Sequence, residues 1–74
     1  MTRVEPFDRV RLKRVRLAAG LSQSEIADLV RQRDPILKTI GVTISRYEMG
    51  WHQPTGHSRL VLEAVLKELE SAAS

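Results

Sequence analysis

Two histidines, His52 and His57, are the side chains best able to bind a metal or move a proton, and they stand five positions apart in a predicted loop. A zinc site needs two further nitrogen, sulfur or oxygen ligands at workable spacing, and the sequence has no cysteine to supply one. Ser58 directly follows His57, but adjacency in sequence does not give a nucleophile and its base the required geometry. The sequence also lacks a glycine-rich loop that could cradle a phosphate. It therefore predicts neither an enzyme nor a metal or cofactor site.

Basic residues are the other group able to do chemistry, and they are distributed unevenly. Residues 1–46 contain ten Lys or Arg against five Asp or Glu, whereas residues 47–74 contain two against four. A basic half attracts a polyanion, which makes nucleic acid a candidate partner. On charge alone, a solvated helix surface and an anionic membrane surface remain alternatives.

The length of 74 residues predicts a single domain with a thin core. No apolar run approaches the roughly 20 residues of a membrane span, and the N-terminus lacks the apolar core of a signal peptide. The absence of cysteine fits a reducing compartment. We therefore expect a cytoplasmic protein with no membrane partner.

A flexible arm and one helix are predicted at the start of the chain. Residues 1–7 form the arm. Asp8 is the predicted N-cap, and apolar positions recur with helical spacing from 9 to 19. Gly20 then supplies the left-handed residue with which helices often end.

A second helix is predicted to begin at Gln23. Ser22 and Glu25 have the spacing of a capping box, and apolar residues follow at helical intervals as far as Arg33. Pro35 ends the pattern because proline biases the residue before it away from helical dihedral angles.

The stretch from Asp34 to Gly50 allows two interpretations. Asp34 and the proline after it resemble an N-cap followed by proline at the first helical position. One interpretation is a continuous helix over about 35–49. The other is a short helical turn at 35–38 followed by a separate helix over about 40–49. The glycine at the end of the stretch terminates the helix in either case.

A last helix is predicted from a cap at Thr55 or Ser58 to about Ser71. It has too many apolar positions for one stripe, so one face can pack on the domain while a second forms a dimer interface. A helix that faces the core all round is the alternative. The predicted interface residues are Val61, Leu62, Val65, Leu66 and Leu69. The predicted fold class is all-α, a compact bundle of four to five short helices.

Two segments carry a more specific signal. Residues 17–27 have the sequence LAAGLSQSEIA, and residues 43–50 have the sequence TISRYEMG, with Pro54 behind them. In this order they resemble the signatures of the Cro and lambda-repressor-like helix-turn-helix family, over about residues 9–69. The family places the alanine of the first signature about ten residues before the isoleucine of the second, whereas here they are seventeen apart. The segment between helix 2 and the recognition helix is therefore enlarged.

The resemblance implies a helix-turn-helix DNA-binding domain over residues 8–74 and assigns roles by position. The implied base contacts are Gly41, Val42, Thr43 and Arg46, with the arginine suited to guanine O6 and N7. The implied phosphate contacts are Ser22, Gln23, Lys38, Thr39, Trp51, His52, Gln53 and Thr55. For Trp51, a partly buried core anchor is the alternative. Arg16 and Glu48 are implied to form an ion pair that ties helix 1 to the end of the recognition helix.

The expected function is sequence-specific binding of double-stranded DNA by a small homodimeric repressor that recognises an inverted repeat. RNA polymerase or a toxin would be a further partner if the chain were instead a controller protein, an activator or an antitoxin of the same fold. A protein-interaction module that uses the apolar C-terminal helix without DNA is a different class. Arg46 and Gln23 argue against it, because the resemblance places both at DNA.

Overall fold

The structure is a computed structural model that describes residues 6–73. Within that range every regular element is an α-helix and none is a strand, which confirms the prediction of an all-α fold. The helices are α1 (Arg9–Ala18), α2 (Gln23–Arg33), α3 (Gly41–Met49) and α4 (Gly56–Ala73). No helix in the described part is both long enough and apolar enough to cross a membrane.

Helix α1 begins and ends at the residues that local sequence signals predict. The Asp8 carboxylate accepts a hydrogen bond from the backbone N–H of Arg11 at 3.0 Å, which satisfies one of the groups that a helix start leaves unpaired. After the helix, Gly20 has a φ of 71°, and the Leu21 N–H donates to the Arg16 carbonyl at 3.0 Å. These features form a Schellman-type end, for which a glycine is best suited.

Helix α2 begins with the predicted capping box. The Ser22 hydroxyl accepts from the Glu25 N–H at 3.1 Å, and the Glu25 carboxylate accepts from the Ser22 N–H at 2.9 Å. Both ends of the box are thus paired reciprocally, and the helix runs as far as Arg33 as expected.

The connection between α2 and α3 differs from both interpretations of the sequence. Helix α3 begins at Gly41, so the continuous helix over 35–49 is wrong and the separate later helix is confirmed. Residues 35–36 form a turn without a helix. Asp34 is the C-cap of α2 and does not N-cap a further helix; one of its carboxylate oxygens accepts from the Ile36 N–H at 3.0 Å and the other contacts His57 Nε2 of α4.

Exposure alternates along the rest of this connection. Leu37 packs against the core and Thr39 is only 8% exposed, whereas Lys38 and Ile40 face outward. The Thr39 carbonyl also accepts a hydrogen bond from the Arg31 guanidinium of α2. The expectation that Thr39 contacts a phosphate is therefore corrected, because its side chain is buried against its own domain.

The core lies where the four helices meet. Its fully buried members come from every helix: Leu12, Ile26, Ile44, Leu62 and Leu66. Phe7 joins them at 8% exposure and lies against the Tyr47 ring, with centroids 6.5 Å apart. The predicted arm over residues 1–7 is thus wrong at Phe7, because this aromatic side chain is part of the core. Residues 1–5 of that arm, and Ser74 of the predicted domain, lie outside the described residues.

Helix α4 begins immediately after Thr55, the first of the two predicted caps, and directs most of its apolar residues inward. Leu62, Val65 and Leu66 are 1%, 2% and 0% exposed, and Val61 and Leu69 are partly buried against the same core. The predicted dimer interface is therefore corrected at Leu62, Val65 and Leu66, which fill the core of one chain. The large aliphatic side chain that α4 exposes is Leu60.

Helix α3 starts close beside the first turn of α2. A Cβ atom on Gly41 would lie 2.5 Å from the Ser24 hydroxyl oxygen and 3.2 Å from the Ser24 Cα. A larger residue would displace the Ser24 hydroxyl and press on the Ser24 backbone, so glycine suits this position. The α2–α3 pair is also the most extensively packed pair of the fold.

Replacing Gly41 with alanine should destabilise the protein by roughly 1–3 kcal/mol, because the added methyl group overpacks this contact. Urea unfolding measures the change. The same substitution in a Ser24→Gly background should cost less, since the nearest clashing atom is then gone. Equal or greater stability of Gly41→Ala, as helix propensity alone would give, would show that the approach is not tight.

The Asp34 contacts predict a dependence of stability on pH. The His57 side chain, and then the Ile36 N–H, lower the pKa of Asp34 below its ordinary value. A lowered folded-state pKa contributes stability that is present above the unfolded pKa of about 3.9 and is lost as the pH falls through the folded value. In Asp34→Asn and in His57→Gln, stability should therefore fall less between about pH 4 and pH 2. Acid titrations followed by circular dichroism would test this, and unchanged slopes in both variants would contradict it.

Candidate nucleic-acid interface

Helix α3 has one buried face and one open face. Ile44 is fully buried, and Tyr47 is partly buried against the core. Val42, Ser45, Arg46 and Met49 follow one another at i, i+3, i+4 and i+7, so they form a row along the opposite side. We call this the α3 row; its two apolar members, Val42 and Met49, are each 53% exposed.

The α3 row contains two residues that the resemblance named and two that it did not. Val42 and Arg46 were expected to face DNA, and both are exposed. Ser45 and Met49 were missed, although their spacing from Val42 was a sufficient signal. Their side chains meet each other, with the Ser45 hydroxyl 3.9 Å from the Met49 sulfur.

The other two expected base contacts, Gly41 and Thr43, make contacts within the domain. Gly41 is half-buried against Ser24, where it serves helix packing and presents no side chain. Thr43 is also half-buried, and its hydroxyl oxygen accepts from the Ile40 N–H at 3.3 Å at the start of α3. Among the four expected residues, Val42 and Arg46 are therefore the ones that extend freely outward.

Arg46 on α3, like Arg9 and Arg14 on α1, has a guanidinium with no hydrogen-bond or ion-pair partner in the described part of the chain. By contrast, arginines elsewhere on the domain are paired with carboxylates: Arg11 with Glu70, Arg16 with Glu48, Arg31 with Asp28, Arg33 with Glu68 and Arg59 with Glu63. An exposed and unpaired guanidinium keeps its planar set of donors available for a ligand.

A pocket of about 280 Å³ joins the end of the α3 row to the loop that follows. It is lined by Thr43, Arg46, Tyr47, His52 and Gln53. Burial raises the pKa of Tyr47, so its hydroxyl stays protonated and able to donate at neutral pH. The fold thus brings expected base-contact and phosphate-contact residues into one pocket rich in hydrogen-bond donors, which is the chemistry that an anionic oxygen requires.

Trp51 follows this pocket in sequence and is 67% exposed, so the alternative of a partly buried core anchor is wrong. Its backbone closes α3, because its N–H donates to the Arg46 carbonyl at 3.0 Å beside Gly50, whose φ is 81°. The indole is left on the surface. Lys38 and Thr55 are also exposed but do not line the pocket.

A fork between Arg16 and Glu48 fixes α3 against α1. The guanidinium Nε donates to one carboxylate oxygen at 2.7 Å and Nη2 donates to the other at 3.0 Å. The two side chains are only 12% and 6% exposed. The remaining nitrogen, Nη1, donates to the Leu21 carbonyl at 3.1 Å. The hydrogen bond to the Glu48 carboxylate raises the pKa of Arg16 above its ordinary value.

Gln23 and Ser22, the expected phosphate contacts at the start of α2, also have partners within the domain. The Gln23 amide nitrogen donates to Glu48 Oε1 at 3.3 Å, which draws α2 into the same polar cluster. Ser22 is exposed, and its hydroxyl accepts the capping hydrogen bond described above. Each side chain retains hydrogen-bonding capacity: the Gln23 amide has a second N–H, and the Ser22 hydroxyl has its own proton.

Residues 6–73 contain no group of three or more His, Asp or Glu side chains placed to hold a metal ion. Comparisons of the chain with protein-family models, with curated proteins and with solved structures give no match.

Removing one member of the Arg16–Glu48 fork should be costly. Arg16→Met leaves a buried carboxylate unpaired and should destabilise the domain by about 3–5 kcal/mol in urea unfolding. The double variant Arg16→Met with Glu48→Leu should recover much of this loss. Arg33→Met removes one partner of an exposed pair and serves as the control, with a change below about 1 kcal/mol. Equal losses in the two single arginine variants would show that the fork has no special role.

Proposed function

We propose that this protein binds double-stranded DNA in a sequence-specific manner and regulates transcription as a small helix-turn-helix protein. The observation that carries the proposal is the α3 row with its exposed, unpaired Arg46. The signatures in residues 17–27 and 43–50 place this same helix where the Cro and lambda-repressor-like family inserts its recognition helix. The proposal is thus supported by a resemblance in sequence and by an open surface at the expected element.

The dimensions of α3 suit this role. With its side chains an α-helix is about 10–12 Å across, and the major groove of B-DNA is about 12 Å wide, so the groove can admit α3. Arg46 can donate two hydrogen bonds to guanine, and Val42 can contact a thymine methyl group. Beside them, the pocket of Thr43, Tyr47, His52 and Gln53 offers donors for a backbone phosphate.

The distribution of unpaired charge also favours a polyanion. The acidic residues of α4 are largely paired with arginines of the same chain. The cations left without an ion pair in the described part lie mainly on α1, on α3 and on the connection before α3: Arg9, Lys13, Arg14, Lys38 and Arg46. Their field attracts DNA to the domain and makes binding dependent on salt.

Binding over a promoter would exclude RNA polymerase, so repression is the regulatory outcome that we propose. Selection of bound sequences from random duplex DNA tests sequence specificity directly. Enrichment of a defined motif supports the proposal, and an inverted repeat would indicate binding by two copies. Recovery of random sequence would leave only charge-driven binding and would contradict sequence-specific recognition.

Arg46→Ala should weaken binding to the selected DNA by about 1–3 kcal/mol and relax the preference at one base pair. Lys67→Ala is the matched control, because Lys67 is an exposed cation on α4, whose main packing partners are α1 and α2. It should change the affinity little. Fluorescence anisotropy at constant salt measures both variants. The same small loss in both would mean that Arg46 contributes only charge.

A further inference from the structure

The outer face of α1 exposes two large aliphatic side chains that the core does not use. Val10 is 68% exposed and Leu17 is 59% exposed, whereas Leu12 and Val15 of the same helix are buried. Val10 and Leu17 are seven residues apart, so they lie on one side of the helix about 10.5 Å from each other.

These two side chains belong to one shallow groove, which we call the α1 groove. It has a volume of about 410 Å³ and is lined by Arg9, Val10, Lys13, Arg14, Leu17 and Glu48. Single exposed aliphatic residues are common on protein surfaces and need no explanation. Here Val10 and Leu17 share one groove at helical spacing, with Lys13 and Arg14 between them, and exposed apolar surface that is grouped in this way marks interaction sites.

The rim of the α1 groove is positively charged. Arg9, Lys13 and Arg14 are exposed and have no ion-pair partner in the part of the chain that the structure describes. Glu48 is the acidic residue at the groove, and its carboxylate is already held by Arg16 and Gln23. An incoming carboxylate would therefore meet available cations.

We propose that the α1 groove binds an acidic amphipathic α-helix of a partner protein. Such a helix carries apolar residues at i, i+3, i+4 and i+7, and two of its turns span the distance from Val10 to Leu17. Glutamates and aspartates beside that apolar stripe would pair with the cationic rim. Apolar contact and charge complementarity together select this class of partner.

Other occupants fit less well. The phosphates of a nucleic-acid backbone would pair with the cations of the groove, but they would offer no aliphatic surface to Val10 and Leu17. A second copy of this chain could bring its α4, but the glutamates of that helix are already paired with arginines of their own chain: Glu63 with Arg59, Glu68 with Arg33 and Glu70 with Arg11.

The α1 groove and the α3 row can be occupied at the same time. Glu48 lies on the side of α3 that faces α1, and it is about 120° around the helix from Val42. A partner helix on α1 therefore leaves Val42 and Arg46 of the α3 row open. The groove thus adds a protein partner to the proposed DNA-binding activity and does not depend on that activity.

The probe is a synthetic helical peptide of about 18 residues with leucines along one stripe and glutamates elsewhere. A peptide of the same composition with the leucines scattered is the control for charge. The full chain should bind the amphipathic peptide at least about tenfold more tightly than the scattered one in fluorescence anisotropy. Leu17→Gln should weaken binding by about tenfold or more, whereas Leu60→Gln, an equally exposed leucine on α4, should not.

Three results would overturn the proposal. One is equal binding of the two peptides, or equal displacement of both peptides from the protein by duplex DNA. Either result would indicate that charge alone drives peptide binding. Another is unchanged affinity in Leu17→Gln. The third is self-association that Leu17→Gln abolishes in sedimentation experiments, which would make the groove an interface between copies. Leu17→Gln should retain the circular dichroism spectrum and the DNA affinity of the wild type. Failure of the peptide-binding proposal is therefore distinguishable from failure of the proposed DNA binding.

Discussion

The orientation of α3 depends on one buried carboxylate. Glu48 receives two hydrogen bonds from Arg16 of α1 and one from Gln23 of α2, and so connects three helices at a single point. A buried ion pair adds little net stability, because desolvation offsets much of the attraction, but it specifies which groups must meet. This pair fixes the rotation of α3 about its axis, and that rotation decides which side chains form the α3 row.

A second contact fixes the other end of the same helix. Gly41 lies so close to Ser24 that no side chain fits between α2 and α3. Glu48 holds the C-terminal turn of α3, and Gly41 sets the position of its first turn. A short helix constrained at both ends has little freedom to tilt, so the α3 row is presented by a rigid element. Preorganisation of this kind reduces the entropy that is lost on binding.

Local signals predicted the helix ends well, and distant partners explain most of the errors. Asp8 and Ser22 cap helices because their hydrogen-bond partners are three residues away, within the same turn. Asp34 had an equally good local signal for a cap, but its carboxylate is shared with His57, which is 23 positions further on. The spacing of Leu62 and Leu66 fitted either the core or a dimer interface, because the sequence of α4 alone does not show which of its residues α1 and α2 bury. At the site, spacing could place Val42 and Arg46 on a row, but only the packed fold shows that Thr39 is buried.

The pairing of charges on α4 explains why the chain can be basic on one side with only a small net charge of +3. Carboxylates of α4 neutralise Arg11 and Arg33, which therefore serve to join helices within the domain. Within residues 6–73, no carboxylate forms an ion pair with Lys13 on α1 or Arg46 on α3. The two surfaces nevertheless differ in what lies between their cations. Donor groups of Thr43, Tyr47, His52 and Gln53 line the pocket beside Arg46, whereas the aliphatic side chains of Val10 and Leu17 lie beside Lys13. Both surfaces carry positive charge, but the groups beside the cations differ. Those groups decide whether the anionic partner that a cation attracts can also pack against the surface, so the two surfaces favour different ligands.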